Sequence, residues 1–314
     1  MKTSYRLTLA LAALCSMRLA AEPIPADQPH SNDPTAQLLP LSFGKNPRLD
    51  LVVVAETTAD GAKVTRPAPQ QPAYYVALDE GYREAGDPIA NEKPPTAAEV
   101  ARALRQALAA GGYQPATAQT PPTLLLVYHW GSLNRDSLAI RRGMDLDPNL
   151  KARVALVAGR RYEREIDDEI IQHQLAREMR TSFPAARFLT IQAQQLRELA
   201  QDNRYFVIVS AYDYAALGRH EARLLWRTKM SASNAGVAMY AALPALLQGG
   251  GPYFGRDADE PQFVRVPLGP EGKVETGAPD SIGAARPPDD PFVRDLAEKE
   301  GAEVTGMRPR PTSK

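Results

Sequence analysis

Three continuous apolar stretches decide most of what this chain can fold into. They are Leu49-Asp50-Leu51-Val52-Val53-Val54-Ala55, Thr123-Leu124-Leu125-Leu126-Val127-Tyr128-His129-Trp130 and Arg204-Tyr205-Phe206-Val207-Ile208-Val209-Ser210-Ala211-Tyr212. Each is short and rich in β-branched or aromatic residues, the pattern of a buried strand. Strands buried on both faces belong to sheets that helices cover on both sides. A fourth stretch behaves differently: Leu224, Trp226, Thr228 and Met230 alternate with Leu225, Arg227, Lys229 and Ser231. Period two marks a strand with one solvated face. With the turn-like Leu217-Gly218-Arg219-His220 before it, this predicts a late antiparallel hairpin with the 204–212 strand.

Helix signals fill the spaces between. After Pro94-Pro95, Thr96 can cap a helix, and Glu99 three residues on completes a capping box. Val100, Leu104, Ala107 and Leu108 share one face of it, and Gly111-Gly112 ends it. Residues 132–203 lack any comparable apolar run and read as helical. Asp147-Pro148 starts one helix there, and Ile166, Ile170, Leu175 and Met179 stripe the next, heavily charged one. A small-residue helix over 236–248 stops at Gly249-Gly250-Gly251, and its apolar residues spread round its circumference as in a buried helix. Tyr74–Leu78 and Gln262–Leu268 read as short edge strands. The expected fold class is α/β of the mixed α+β kind: a single mixed sheet with a late antiparallel hairpin, packed by helices, within one domain over 48–268.

The flanks read differently. Lys2 and Arg6 precede an apolar run, Leu7 to Leu14, and Ala20-Ala21 stand before Glu22-Pro23, the three parts of a secretory signal over 1–21. The run is too short to cross a bilayer, which takes about 20 apolar residues. No transmembrane helix is expected in the mature chain. Residues 22–47 read as a flexible Pro-rich leader, and 269–314 as a disordered tail rich in Gly, Pro and charge. Cys15 is the chain's single cysteine. Leu14 occupies the position where a lipoprotein signal wants a small residue, so removal of Cys15 with the signal is favoured over a lipid anchor. The expected location is the periplasm or cell envelope, and the mature domain would have no thiol for disulfides or metal.

Charge excludes a further class. The chain has 37 basic and 37 acidic residues and 7% aromatics, with no basic stripe interleaved with aromatics. Nothing in it would drive binding to nucleic acid.

Two segments together carry a resemblance. Over 100–130 a helix ends in Gly111-Gly112-Tyr113 and leads to Pro122-Thr123-Leu124-Leu125-Leu126-Val127; over 204–231 a hairpin strand carries Trp226-Arg227. This is similar to an uncharacterised bacterial family of exported proteins and lipoproteins of unknown function. There a helix ends in Gly-Tyr, a Pro-Asp-Leu strand follows, and a late strand carries Trp-Arg or Trp-Gly. Thr123 stands where that family more often has Asp, and 132–203 is a long helical insert relative to it. The resemblance implies an envelope location and an α/β fold, without a reaction.

Candidate chemistry is sparse. His129-Trp130-Gly131-Ser132 with Arg135-Asp136-Ser137 lies where the 123–130 strand is expected to end, the place where α/β sheets display ligand groups. His129 as base, Asp136 as its orienting acid and Ser132 or Ser137 as nucleophile would make a hydrolase, though no G-x-S-x-G elbow surrounds either serine. The same cluster is the expected site of a small-ligand binder. Glu165, Glu169 and His173 recur at four-residue spacing on one helix face, and Glu169 with His173 are weak metal candidates. Asp213 and His220 flank the hairpin turn. Gly249-Gly250-Gly251 follows a helix and lacks a Lys-Ser or Lys-Thr pair, so it reads as a corner and not a phosphate loop. No cofactor is expected. The leading reading is a non-enzymatic interaction or structural module of the envelope, with an envelope protein as the expected partner of the interaction form.

Overall fold

A computed structural model describes residues 47–142, 147–178, 189–268 and 287–305. The expected signal with Cys15, and all of the expected leader except its last residue, lie outside them. Strand β1 (Arg48–Thr57) is followed by β2 (Ala73–Ala85), helix α1 (Ala97–Ala110), β3 (Tyr113–Pro115) and β4 (Leu124–Leu133). Helices α2 (Ser137–Arg141), α3 (Leu150–Val157), α4 (Gly159–Glu178) and α5 (Ile191–Leu199) come next. After them come β5 (Arg204–Asp213), the single turn α6 (Tyr214–Leu217), β6 (Leu224–Ser233), α7 (Met239–Gly250), β7 (Gln262–Pro267) and α8 (Pro291–Thr305).

The seven strands form one mixed, curled sheet in the order β3-β2-β4-β5-β6-β1-β7. Strand β2 runs parallel to β3 and β4, and every other pairing is antiparallel. The α/β fold, the late β5–β6 hairpin and the capping box at Thr96 and Glu99 match what the sequence predicts. On one face α1 and α7 pack against Leu126, Val207 and Met230 through Leu104, Leu108 and Leu246. The other face carries two clusters. Val54, Leu133, Phe206 and Ile208 lie under α3, α4 and α5. Val76, Leu125, Val127 and Tyr212 lie with Val293 and Ala297 of α8.

Four expectations need correction. Strand β2 is not a short edge strand over 74–78; it runs 13 residues and sits between β3 and β4. Polar Asp79, Glu80, Arg83 and Glu84 conceal its second half, where the register shifts between Asp79 and Tyr82. The expected tail over 269–314 contains α8, whose Val293 and Ala297 are buried. The polar face of β6 is not solvated, because helices lie over it: Lys229 and Ser231 are buried. Finally, the α4 stripe stops short. Ile166 is buried, whereas Leu175 is 44% exposed.

Among the described residues no helix is long and apolar enough to cross a membrane. Two buried arginines hold the ends of the helical layer. Arg153 pairs with Asp147 at 2.5 Å and donates to the carbonyls of Ala200 and Asn134. Arg204 donates to the carbonyls of Leu199 and Ser231 and to Ser231 Oγ. Both satisfy backbone acceptors that burial would otherwise strand.

Two glycines test the β2–β4 seam. A Cβ on Gly131 would lie 1.7 Å from the Arg83 carbonyl oxygen, a backbone atom that cannot swing away. At Gly81 a Cβ meets open space, but φ is +79°. Gly81→Ala should therefore lose only the left-handed penalty, about 1–2 kcal/mol. Gly131→Ala should lose about 3 kcal/mol or more, through forced separation of the strands. Equal losses in urea denaturation would refute the contact.

Candidate functional site

The structure separates the residues of the expected catalytic cluster. Strand β4 does not end at Trp130 but continues through Gly131 and Ser132 to Leu133. His129 therefore lies inside the sheet, opposite Ile208, and is fully buried. Its ring meets Phe206 edge-on with centroids 6.2 Å apart. Neither ring nitrogen has a hydrogen-bond partner among the described residues. Burial above all, then the positive Arg83 and Arg227, pushes its pKa down to about 3, so the imidazole is neutral. Ser132 stands three residues further along the same strand, hence on the opposite face, buried and without a hydrogen-bond partner among the described residues. Asp136 lies past the strand and caps α2, accepting from the Ala139 amide at 2.8 Å. No proton can pass from serine to imidazole to carboxylate in this arrangement. The Gly-Ser pair that reads as the start of a loop is a strand segment pressed against β2.

The charged helix fares similarly. Glu169 faces Arg197 of α5 at 3.1 Å, and Glu165 accepts from the Thr190 amide at 2.6 Å. Lys151 of α3 reaches Asp167 at 2.9 Å. These carboxylates tie α4 to its neighbouring helices. The His173 side chain lies outside the described set. Among the described residues no group of three His, Cys, Asp or Glu is placed to hold a metal ion. Asp213 caps α6 through the Ala215 amide at 3.0 Å. His220 lies 3.7 Å from Asp290 and stacks near Phe292, on the approach to α8. At the end of α7, a Cβ on Gly250 would sit 2.0 Å from Met230 Sδ, so that glycine serves close packing.

Sequence reasoning misses the most polar place in the core. Between the two apolar clusters on the α3/α8 face, Glu300 of α8 meets Tyr212 of β5 and Arg227 of β6, with Ser210 beside Arg227 and Arg83 of β2 under the adjoining Gly301. The Tyr212 hydroxyl donates to Glu300 Oε2 at 2.6 Å. Arg227 Nη2 lies 3.5 Å from Glu300 Oε1, while its Nε donates to Ser210 Oγ at 3.0 Å. Arg83 Nη2 is 3.6 Å from Glu80 Oε2. The Arg83 side chain is 0% exposed and that of Glu300 1%, so solvent screens neither charge. Burial, then the Glu300 charge, raises the Tyr212 hydroxyl well above its usual range, which keeps it a donor. Gly301 lies flat on the Arg83 guanidinium: a Cβ there would come within 2.1 Å of Nη2. Nearby, Lys229 donates to the Ala155 carbonyl at 2.9 Å, and burial lowers its pKa.

One signal for α8 was present. Asp290-Pro291 repeats the Asp-Pro helix start seen at Asp147-Pro148, and Val293, Ala297 and Glu300 follow at helical spacing. Nothing in the sequence pairs Glu300 with arginines on β2 and β6. On the opposite side, α1 and α7 flank a cleft of about 720 Å³, lined by Ala103, Ala107, Pro244 and Phe254 with Arg66 and Arg256. That volume falls in the range of small-ligand pockets.

His129 gives acid sensitivity a definite sign. The free imidazole titrates near 6.5, whereas in the fold it stays neutral down to about 3. Between those values the unfolded chain binds a proton that the native chain refuses, so this contribution to stability is lost as pH falls from about 6.5 toward 3. His129→Leu should flatten the decline of the urea midpoint between pH 7 and 4. At pH 8 it should change stability by less than about 1.5 kcal/mol. An unchanged slope would show that His129 is protonated in the native state.

No protein-family model matches the chain, and no curated protein sequence does. A crystal structure of a PDZ domain protein from Parabacteroides distasonis ATCC 8503 is similar at a TM-score of 0.37 and 11% identity, over 69% of this chain and 39% of that one. The chain thus spans well under half the length of that protein, a likeness too loose to transfer a function.

Proposed function

We propose that this chain is an exported envelope protein that acts as a non-enzymatic interaction module, holding a helix on the α3/α8 face of its sheet. The observation that supports this reading is the seating of α8. The helix packs Phe292, Val293, Leu296 and Ala297 against the sheet and adds a buried carboxylate among arginine, tyrosine and serine groups. Helix-in-groove docking of that kind is a recurrent mode of protein recognition. The hydrolase alternative loses its basis, because His129, Ser132 and Asp136 lie on opposite faces of β4 and beyond its end.

Export rests on the sequence of residues 1–21 alone. Intact-mass measurement of the protein recovered from its native envelope should give a mature start near Glu22. A start at Cys15 carrying acyl mass would replace the soluble protein with a tethered one.

The interaction reading has its own test. A photo-crosslinking residue at Phe292, in the first turn of α8, should trap a defined envelope protein in cells, whereas one at Gln106 on the opposite side should not. Equal yields from both positions, or none from either, would overturn the reading.

A further inference from the structure

The cleft between α1 and α7, on the other side of the sheet from α8, has walls that are rigid before anything enters it. Its lining includes four proline rings, Pro67, Pro69, Pro244 and Pro252, and the ring of Phe254. Proline has no side-chain rotamers to lose, so such a wall costs little to order around a guest. Phe254 is fixed from behind, stacked on Trp226 with centroids 5.6 Å apart, and Tyr113 meets the same indole edge-on. The 66–69 wall is fixed as well. Ala68 and Gln71 exchange backbone hydrogen bonds at 3.1 and 2.9 Å. Gly112, at φ +83°, lets that loop lie close, since a Cβ there would come within 2.5 Å of the Ala68 carbonyl carbon.

The charge of the cleft has one sign. Arg66 and Arg256 line it, and no aspartate or glutamate does. Among the described residues neither guanidinium has a hydrogen bond or an ion pair, whereas exposed arginines elsewhere are paired: Arg160 with Glu56, Arg219 with Glu221, Arg265 with Asp50. The two also stand at the same end. Burial raises the Tyr113 hydroxyl, and the nearby Arg66 charge opposes that rise. Gly255, the neighbour of Arg256, sits on the same hydroxyl, where a Cβ would come within 2.4 Å of it. Two cations without a counter-charge at one end of an apolar cleft concentrate anions there. A guanidinium also matches a carboxylate with two parallel donors.

We propose that the α1/α7 cleft binds a small organic acid, its apolar body laid on Phe254 and the proline rings and its anionic group taken by Arg66 and Arg256. The site goes beyond the interaction reading and stands without it. The apolar lining excludes a guest that is polar throughout, and the arginine pair disfavours a cationic one.

The test uses the full chain and the dye 8-anilinonaphthalene-1-sulfonate, whose sulfonate stands in for the carboxylate. Fluorescence titration should give one site with a Kd of about 10–100 μM, as expected for a ligand of that size. Octanoate should displace the dye, and octanol at equal concentration should not. The double substitution Arg66→Gln, Arg256→Gln should weaken dye binding by about 10-fold or more. It should leave the uncharged analogue N-phenyl-1-naphthylamine bound as before. Ala110→Trp, at an exposed position of the lining, should fill the cleft and remove both dyes. Thermal melting checks that each variant is folded, and the arginine pair alone decides if the tryptophan variant is not. Absence of dye binding, displacement by octanol as strong as by octanoate, or an undiminished affinity in the double variant would overturn the site. A protein cross-linked from Gln106, which lines the cleft, would assign it to a macromolecule and overturn the small-acid reading.

Discussion

Pairing of β4 with β5 is the interaction on which the rest of the structure depends. Ten consecutive residue pairs, Leu124 with Asp213 through Leu133 with Arg204, lock the middle of the sheet. All ten residues of β4 are buried, as are nine of the ten in β5. Two strands so placed cannot face water on either side, which forces a helical layer onto both faces. The α1/α7 layer meets an almost purely apolar surface. Its counterpart meets two apolar clusters with charge between them, and that division is why α3, α4 and α5 cover one part and α8 the other.

What could be read from the sequence followed from local chemistry. The runs at 49–55, 123–130 and 204–212 became β1, β4 and β5, because β-branched density leaves little alternative. The helix after Pro95 announced itself through Thr96 and Glu99, which bond each other's backbone as a capping box does. Strand β2 was shortened because Asp79, Glu80, Arg83 and Glu84 look like solvated turn residues. In the fold Arg83 is buried through tertiary partners that no local window contains. The same blindness hid α8 and misjudged β6, whose Arg227, Lys229 and Ser231 alternate as if one face were wet. Polarity of a face predicts exposure only when no other element brings it a partner, and here α3 and α8 do. His129 was misplaced for a different reason: Gly131 reads as a loop residue, whereas it is there so that β2 can come close.

Four arginines, three of them buried and Arg227 half-buried, do two kinds of work. Arg153 and Arg204 give their donors largely to backbone carbonyls at the end of α5, just past β4 and within β6, a task tied to one fixed chain path. Arg83 and Arg227 instead face side-chain carboxylates, one of them on a different element of the chain. Carbonyls held by the first pair cannot be exchanged without unfolding. The distinction lies in what each pair holds, main chain in one case and side-chain carboxylate in the other.

The place of β1 has a consequence for how the chain comes to be folded. It lies between β6 and β7, with Val52 opposite Ser231 on one side and Phe263 on the other. Both neighbours are among the last strands to emerge from a ribosome, so the order of synthesis runs against the order of pairing. Until residue 233 exists, the Val52-Val53-Val54 ribbon has no ladder to join and presents two open edges, the form of strand most prone to self-association. Strands β2 to β5 can pair as they appear, but β1 can join the sheet only once nearly the whole domain has been made.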